Sequence, residues 1–251
     1  MSTPVLTTRN LCKKFGALAV TQSVNFNLAA AARHALIGPN GAGKTSLINL
    51  LTGVLQPSAG EVWLAGENIT RLRQDQRVKR GLVRTFQINT LFPHLTPLEA
   101  VALAVCERQG VAGRGFSSLA AHADAVEEAY ALLLQLKLAD VCNQVTRELA
   151  YGRQRLLEIA LALACRPRVL LLDEPAAGIP TAESEELFEV IAALPRDISI
   201  LFIEHDMRLV MRFAERITVM VAGQILVEGA PREIADDARV RAVYLGAKRH
   251  A

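Results

Sequence analysis

Gly38-Pro39-Asn40-Gly41-Ala42-Gly43-Lys44-Thr45-Ser46, GPNGAGKTS, follows the apolar run Ala35–Leu36–Ile37 and matches the spacing G-x-x-x-x-G-K-[ST]. Its glycines let the backbone curl until several N–H groups point inward, and the helix that follows turns its positive end toward the same anion. In such a loop Lys44 bridges the outer phosphates of a nucleotide and Thr45 holds magnesium. The next residues, LINLLTG, put Leu47, Leu50 and Leu51 on one face and end on Gly53, so strand, loop and helix follow in the required order.

Working outward, a chain of 251 residues that is 51% hydrophobic and 21% charged has material for one large or two small domains. A net charge of +3, with no Lys/Arg-rich block, argues against a nucleic-acid partner. Cys12, Cys106, Cys142 and Cys165 are far apart with no C-x-x-C pair, the pattern of reduced core thiols rather than of disulfides or zinc. No apolar run reaches the length of a membrane span, and the first residues have no leader pattern, so the chain is expected to stay on one side of a membrane.

Apolar runs at Ala35–Ile37, Val169–Leu172 and Ile198–Ile203 predict buried parallel strands. Val5–Thr7, Val24–Leu28 and Glu61–Ala65 predict a small antiparallel sheet beside them. Ile217–Val221 and Gln224–Val227 form a hairpin around Ala222–Gly223. Between about Asn89 and Arg155 only helical patterns occur: Thr96, Pro97 and Glu99 make a capping box for Leu98–Cys106, and Val126, Ala129, Tyr130 and Leu133 form a stripe. The glycine-bearing stretch Gln109–Ser118 predicts a loop, and a helical tail closes the chain.

The run RVLLLDEP sets Asp173 and Glu174 at the C-terminal edge of a strand, where an open α/β sheet places its ligand crevice. Aspartate on a hard cation and glutamate as a base for water are what phosphoryl transfer requires. His205, in FIEHD, stands at the edge of another strand.

ELAYGRQR at Glu148–Arg155 resembles the signature motif, usually LSGGQ, of ATP-binding cassette (ABC) ATPases. In that family two ATPase domains face head to tail, each nucleotide lying between one P-loop and the other domain's signature. The resemblance covers nearly the whole chain and implies an α/β P-loop NTPase (RecA-like) core with a parallel sheet, an antiparallel β subdomain and an inserted α-helical subdomain. It implies domain limits at 1–88 and 156–230 for the core, 89–155 for the insert and 231–251 for the tail. It implies that ATP and magnesium are bound by Phe15 as the adenine-stacking ring, by Gly38–Ser46, by Gln87 in VRTFQ, by Asp173, and by Leu149, Ala150, Tyr151 and Gly152 across the dimer. Glu174, His205, Lys44 and Gln87 then serve catalysis.

VRTFQ, LAYGRQR, DEPAAG, IEHDM and the terminal YLG at Tyr244–Gly246 together look like the ATP-binding subunit of bacterial branched-chain amino acid importers. That likeness implies a second ATPase subunit, identical or different, two membrane permease subunits, an extracytoplasmic solute-binding protein, and a place on the cytoplasmic face of the inner membrane. Importers of urea or another small amide would read alike, and so, in part, would a soluble ABC ATPase working on ribosomes or nucleic acid. The latter usually carries two cassettes or a coiled-coil arm, neither of which is present. A regulatory module with negligible turnover is opposed by the Asp173–Glu174 pair. Two positions depart from the general pattern: Ala150 replaces the signature serine, and Pro180 stands where most members have Asp or Asn.

Overall fold

The computed structural model describes residues 4–85, 91–111 and 122–246. Its strands are β1 (Pro4–Phe15), β2 (Leu18–Val24), β3 (Asn27–Ala29), β4 (Arg33–Ile37), β5 (Ala59–Leu64), β6 (Glu67–Asn68), β7 (Leu82–Arg84), β8 (Val169–Asp173), β9 (Ser199–Ile203), β10 (Arg216–Val221) and β11 (Gln224–Gly229). The helices are α1 (Lys44–Thr52), α2 (Gln74–Val78), α3 (Pro97–Gln109), α4 (Ala123–Gln135), α5 (Tyr151–Ala164), α6 (Thr181–Ala192), α7 (Met207–Phe213), α8 (Pro231–Asp236) and α9 (Ala238–Gly246).

One sheet runs β11-β10-β4-β9-β8-β7, parallel except for the antiparallel β11; the other, β2-β1-β5-β6 with β3 on β1, is antiparallel. Alternation along the central strands explains why they read as unbroken apolar runs. Val169 and Leu171 pack with α1 and the antiparallel sheet, whereas Leu170 and Leu172 pack with the helices on the opposite face. Leu201 and Ile203 divide from Ile200 and Phe202 in the same way. Asp173 continues the parity of Leu171 and therefore belongs to the face of α1.

Details differ from the sequence reading for physical reasons. Strand β7 has only three residues, too few for a period to show, and β1 is long but interrupted by irregular register on both sides. The Val24–Leu28 run is broken at 25–26 into β2 and β3. The buried stripe of α4 is Ala125, Ala129 and Leu133; Tyr130, expected in it, is 46% exposed. Of the four free thiols, Cys106 and Cys142 are buried but Cys12 and Cys165 are partly exposed, so only two are core residues. The Thr96 capping box forms as expected, with Glu99 N–H donating to Thr96 Oγ1 at 3.2 Å and Thr96 N–H to Glu99 at 2.8 Å.

Two buried basic side chains, one charged and one neutral, brace the strand–loop–helix unit. Arg77, fully buried, donates to the carbonyls of Leu50 and Leu51 at 2.7 and 2.6 Å, capping the C-terminal end of α1. His34, on β4, shares a 2.8 Å bond with Thr218 Oγ1, which itself donates to Glu228 at 2.9 Å. Thr218 has one hydrogen and Glu228 takes it, so His34 Nε2 is the donor in their bond.

Burial lowers the His34 pKa to about 4, Glu228 opposing and Arg216 adding to the shift. The unfolded chain, with an ordinary imidazole near 6.5, therefore takes up a proton between pH 6.5 and 4 that the fold refuses. Stability is expected to fall by about 2 kcal/mol between pH 7 and pH 5 from this group alone. Urea unfolding of wild type and His34→Gln at the two pH values checks this: the variant should lose that part of the pH dependence, and an equal dependence in both would contradict it.

Candidate functional site

The loop after β4 keeps its shape because side chains are excluded from it. A Cβ on Gly38 would lie 2.2 Å from the Met220 carbonyl oxygen, and one on Gly43, at φ +98°, 2.6 Å from that of Val20. Both distances are far inside contact, so the loop is pressed against β10 and β2. Helix α1 begins at Lys44, which is buried and donates Nζ to the carbonyls of Gly38 at 2.7 Å and Pro39 at 3.1 Å. Burial lowers the Lys44 pKa, partly offset by Glu174 and Asp173, so the two carboxylates are close enough to feel the ammonium.

A cavity of about 550 Å³ adjoins the loop, lined by Gly41–Ser46, by Leu18, Val20 and Gln22 of β2, and by the Ala222–Gly223 turn. Phe15 is not part of this lining. It pairs with Leu18 at the end of β1, half exposed, with the Lys13 ammonium 5.0 Å from its ring centre. Leu18, 65% exposed and in the lining, was not singled out from the sequence, where one leucine at a strand start gives no signal.

Asp173 is buried and pairs through Oδ2 with Arg84, whose other terminal nitrogen donates to Asn49 of α1 at 2.7 Å. Arg84 thus joins the acidic strand end to the helix of the phosphate loop, a link invisible in sequence because its three members lie far apart. Glu174 takes a left-handed conformation, φ +49°, an uncommon one for a residue with a side chain. This turn redirects its carboxylate, and Oε1 lies 2.8 Å from His205 Nε2.

The structure therefore brings together Lys44, Asp173, Glu174 and His205 at the C-terminal ends of β4, β8 and β9. Gln87 lies outside the described residues. Thr45 is exposed at the start of α1. For a divalent cation the donors on offer are oxygens only, the Thr45 hydroxyl and the Asp173 carboxylate, which suits magnesium; no cluster of three His, Cys, Asp or Glu exists among the described residues. That chemistry fits an ion held jointly with substrate phosphates rather than in a protein cage.

Leu149, Ala150, Tyr151 and Gly152 sit elsewhere, at the start of α5. Ala150 is its N-cap and offers no side-chain bond. Arg155 donates to Tyr151 Oη at 2.6 Å and to Glu158 at 2.9 Å, its guanidinium 5.0 Å from the Tyr151 ring centre. None of 149–152 lines the cavity at the phosphate loop.

The ABC transporter family pattern matches residues 21–177, and the pattern described as branched-chain amino acid ATP-binding cassette transporter matches 224–250. The high-affinity branched-chain amino acid transport ATP-binding protein BraF of Pseudomonas aeruginosa is 39% identical, over 98% of this chain and 99% of its own. LivG of Escherichia coli, of the same description, is also 39% identical over 98% and 99%. The ADP conformation of the ATP-binding cassette MJ1267 superposes with a TM-score of 0.84 at 30% identity, covering 98% of this chain and 100% of its own. A dimeric post-hydrolysis state of the cassette MJ0796, bound to ADP and Pi, matches at 0.75 and 25% over 90% and 99%. A nucleotide-sized cradle in a P-loop α/β fold, matched along its length by transport cassettes, has one reading: the chain belongs to the ABC transporter family and is an ATP-binding cassette ATPase.

Proposed function

We propose that this cassette energises uptake of branched-chain or related amino acids through separate permeases, hydrolysing ATP between two cassettes. The observation that carries the hydrolytic part is the 2.8 Å contact of Glu174 with His205 beside Asp173 and Lys44. Glu174 accepts the proton of the attacking water, whose oxygen bonds to the γ-phosphorus as the bond to the ADP oxygen breaks. His205 orients Glu174 and the γ-phosphate. Lys44 leaves the Gly38 and Pro39 carbonyls to bridge the outer phosphates. Thr45, Asp173 and Gln87 would hold magnesium, which would supply charge neutralisation at the phosphate oxygens. Phe15 and Leu18 flank the adenine.

The separation of 149–152 from the phosphate loop supports the sandwich, since a partner chain can bring its own signature to the open side of the cavity. A groove of about 1130 Å³, with Val54, Val78 and Ala104 as apolar lining and Arg73, Lys79 and Glu107 as charged lining, is where we place the permease's cytoplasmic helix. Phe92 is a further exposed large apolar side chain, outside the groove lining. The amino-acid substrate class rests on BraF and LivG, and the location on the cytoplasmic face of the inner membrane follows from the permeases. No helix among the described residues is long and apolar enough to cross a membrane.

Purification from detergent-solubilised membranes tests the reading. Two permease subunits and a second cassette should accompany the chain, and phosphate release should depend on ATP; a chain that arrives alone and releases no phosphate contradicts it. Ala150→Ser probes the signature. A serine hydroxyl reaching a γ-phosphate contributes about 1.5–3 kcal/mol, so ATP affinity should rise about tenfold or more. The same residue would cap α5, raising stability by about 0.5–2 kcal/mol. Unchanged affinity with a raised Tm would show that only the cap formed and that the missing serine costs the nucleotide site nothing.

A further inference from the structure

Beyond the residues that meet nucleotide, a buried carboxylate ties the two catalytic turns together. Glu204, at the end of β9 and 5% exposed, accepts from Ala176 N–H at 2.9 Å through Oε1 and from His205 N–H at 3.2 Å through Oε2. Neither N–H belongs to the ladder of the sheet. The β8–β9 register ends at Asp173 opposite Ile203, after which both chains turn away. One further backbone bond, Glu174 N–H to the Ile203 carbonyl at 3.0 Å, holds the first residue of the turn. With the Glu174–His205 contact these bonds close a ring whose members are 174, 176, 203, 204 and 205.

We propose that Glu204 is a positioning residue, a clip that fixes the Glu174 turn against His205 so that base and histidine keep one relative geometry. This rests on the proposed roles of Glu174 and His205. The physical need is plain: Glu174 sits in the left-handed region, which a side chain disfavours, and such a turn persists only where surrounding bonds hold it. A carboxylate accepting two backbone N–H groups makes charge-assisted bonds at both oxygens, the stronger kind. Burial pushes the Glu204 carboxyl upward, with Glu174 adding to the shift and the Ala176 and His205 amides opposing it. A buried acid is costly unless its oxygens are hydrogen-bonded, and here each of them accepts one of these two amide N–H groups.

The test uses the full chain, with its partner cassette where turnover requires one. Glu204→Ala removes both acceptors; Glu204→Gln keeps one and turns an N–H donor toward the other amide. Both variants should lower kcat at least tenfold while KM for ATP stays within twofold. Hydrogen exchange at Ala176 and His205 should quicken at least tenfold while amides of 169–172 stay protected. Where Glu204→Ala does not fold, the near-isosteric Glu204→Gln carries the measurement. Wild-type kcat with unchanged exchange overturns the clip, and so does loss of protection throughout β8 and β9 with kcat and KM moving together, which marks a merely structural residue. Glu174→Gln run in parallel separates the two claims: if it hydrolyses ATP normally the role of Glu174 fails, whereas if it is dead and the Glu204 variants are normal only the clip fails.

Discussion

Glu174→Gln is expected to slow ATP hydrolysis by at least 100-fold while leaving ATP binding within a few fold of wild type. The amide keeps the size of the carboxylate and can still meet His205 Nε2, which lies 2.8 Å from Oε1. What it loses is the ability to take a proton from water, a contribution of about 10²–10⁴ in rate. Because the phosphate loop, Lys44 and Asp173 are untouched, the loss should fall on kcat and not on KM. Single-turnover phosphate release beside equilibrium ATP binding distinguishes this outcome. A variant hydrolysing at the wild-type rate would require another base, and one that lost binding equally would make Glu174 a structural residue.

Lys44→Met is expected to cost nucleotide affinity on the order of 100-fold or more, since it removes charge-assisted bonds to phosphate worth about 1.5–3 kcal/mol each. The nucleotide-free fold should hardly notice. Burial lowers the Lys44 pKa even with Asp173 and Glu174 near, so the ammonium carries a desolvation cost that a thioether of similar length avoids. Its two partners are the carbonyls of Gly38 and Pro39, within the loop itself. Calorimetric titration with ATP and a thermal melt should therefore part company: weak or absent binding, with Tm shifted by only a few degrees. A collapse of Tm would mean that Lys44 holds the loop together, and unaltered affinity would remove it from the phosphate site.

How much of this was legible before the structure depends on how local each requirement is. The phosphate loop was readable because its glycines, lysine and hydroxyl answer needs within nine residues, and the contacts at Gly38 and Gly43 show why no side chain is tolerated there. The central strands were readable because burial on both faces leaves an unbroken apolar run. Strand β7 was not, and with it went Arg84, whose partners Asn49 and Asp173 come from α1 and β8. Glu204 stood in the quoted FIEHD run, yet its task is set by Ala176 on a different strand end. Tyr244, in the terminal YLG, packs against the main core, and its hydroxyl meets the Gly38 backbone, a contact no spacing rule announces. The α4 stripe holds at Ala129 and Leu133, with Val126 at the margin of the core, but two neighbouring helical faces are both partly apolar and the buried one takes Ala125 in place of Tyr130.

Glu183 and Gly178 add a link of the same nonlocal kind. A Cβ on Gly152 would meet Glu183 Oε2 at 3.0 Å, and one on Gly178 would meet the Tyr151 ring at 3.4 Å. The start of α5 and the loop after Glu174 therefore rest on each other within one chain. Small residues at 152 and 178 keep them close, while Pro180 is the N-cap residue of α6 and has no N–H to offer a partner.

The sandwich is the claim on which the proposed mechanism turns, and the mass of Glu174→Gln in solution tests it most directly. Light scattering, on the chain alone and mixed with its partner cassette, should show one-cassette mass without nucleotide and two-cassette mass with ATP and magnesium. A mass that ATP leaves unchanged in both mixtures, although ATP is bound, would contradict the account.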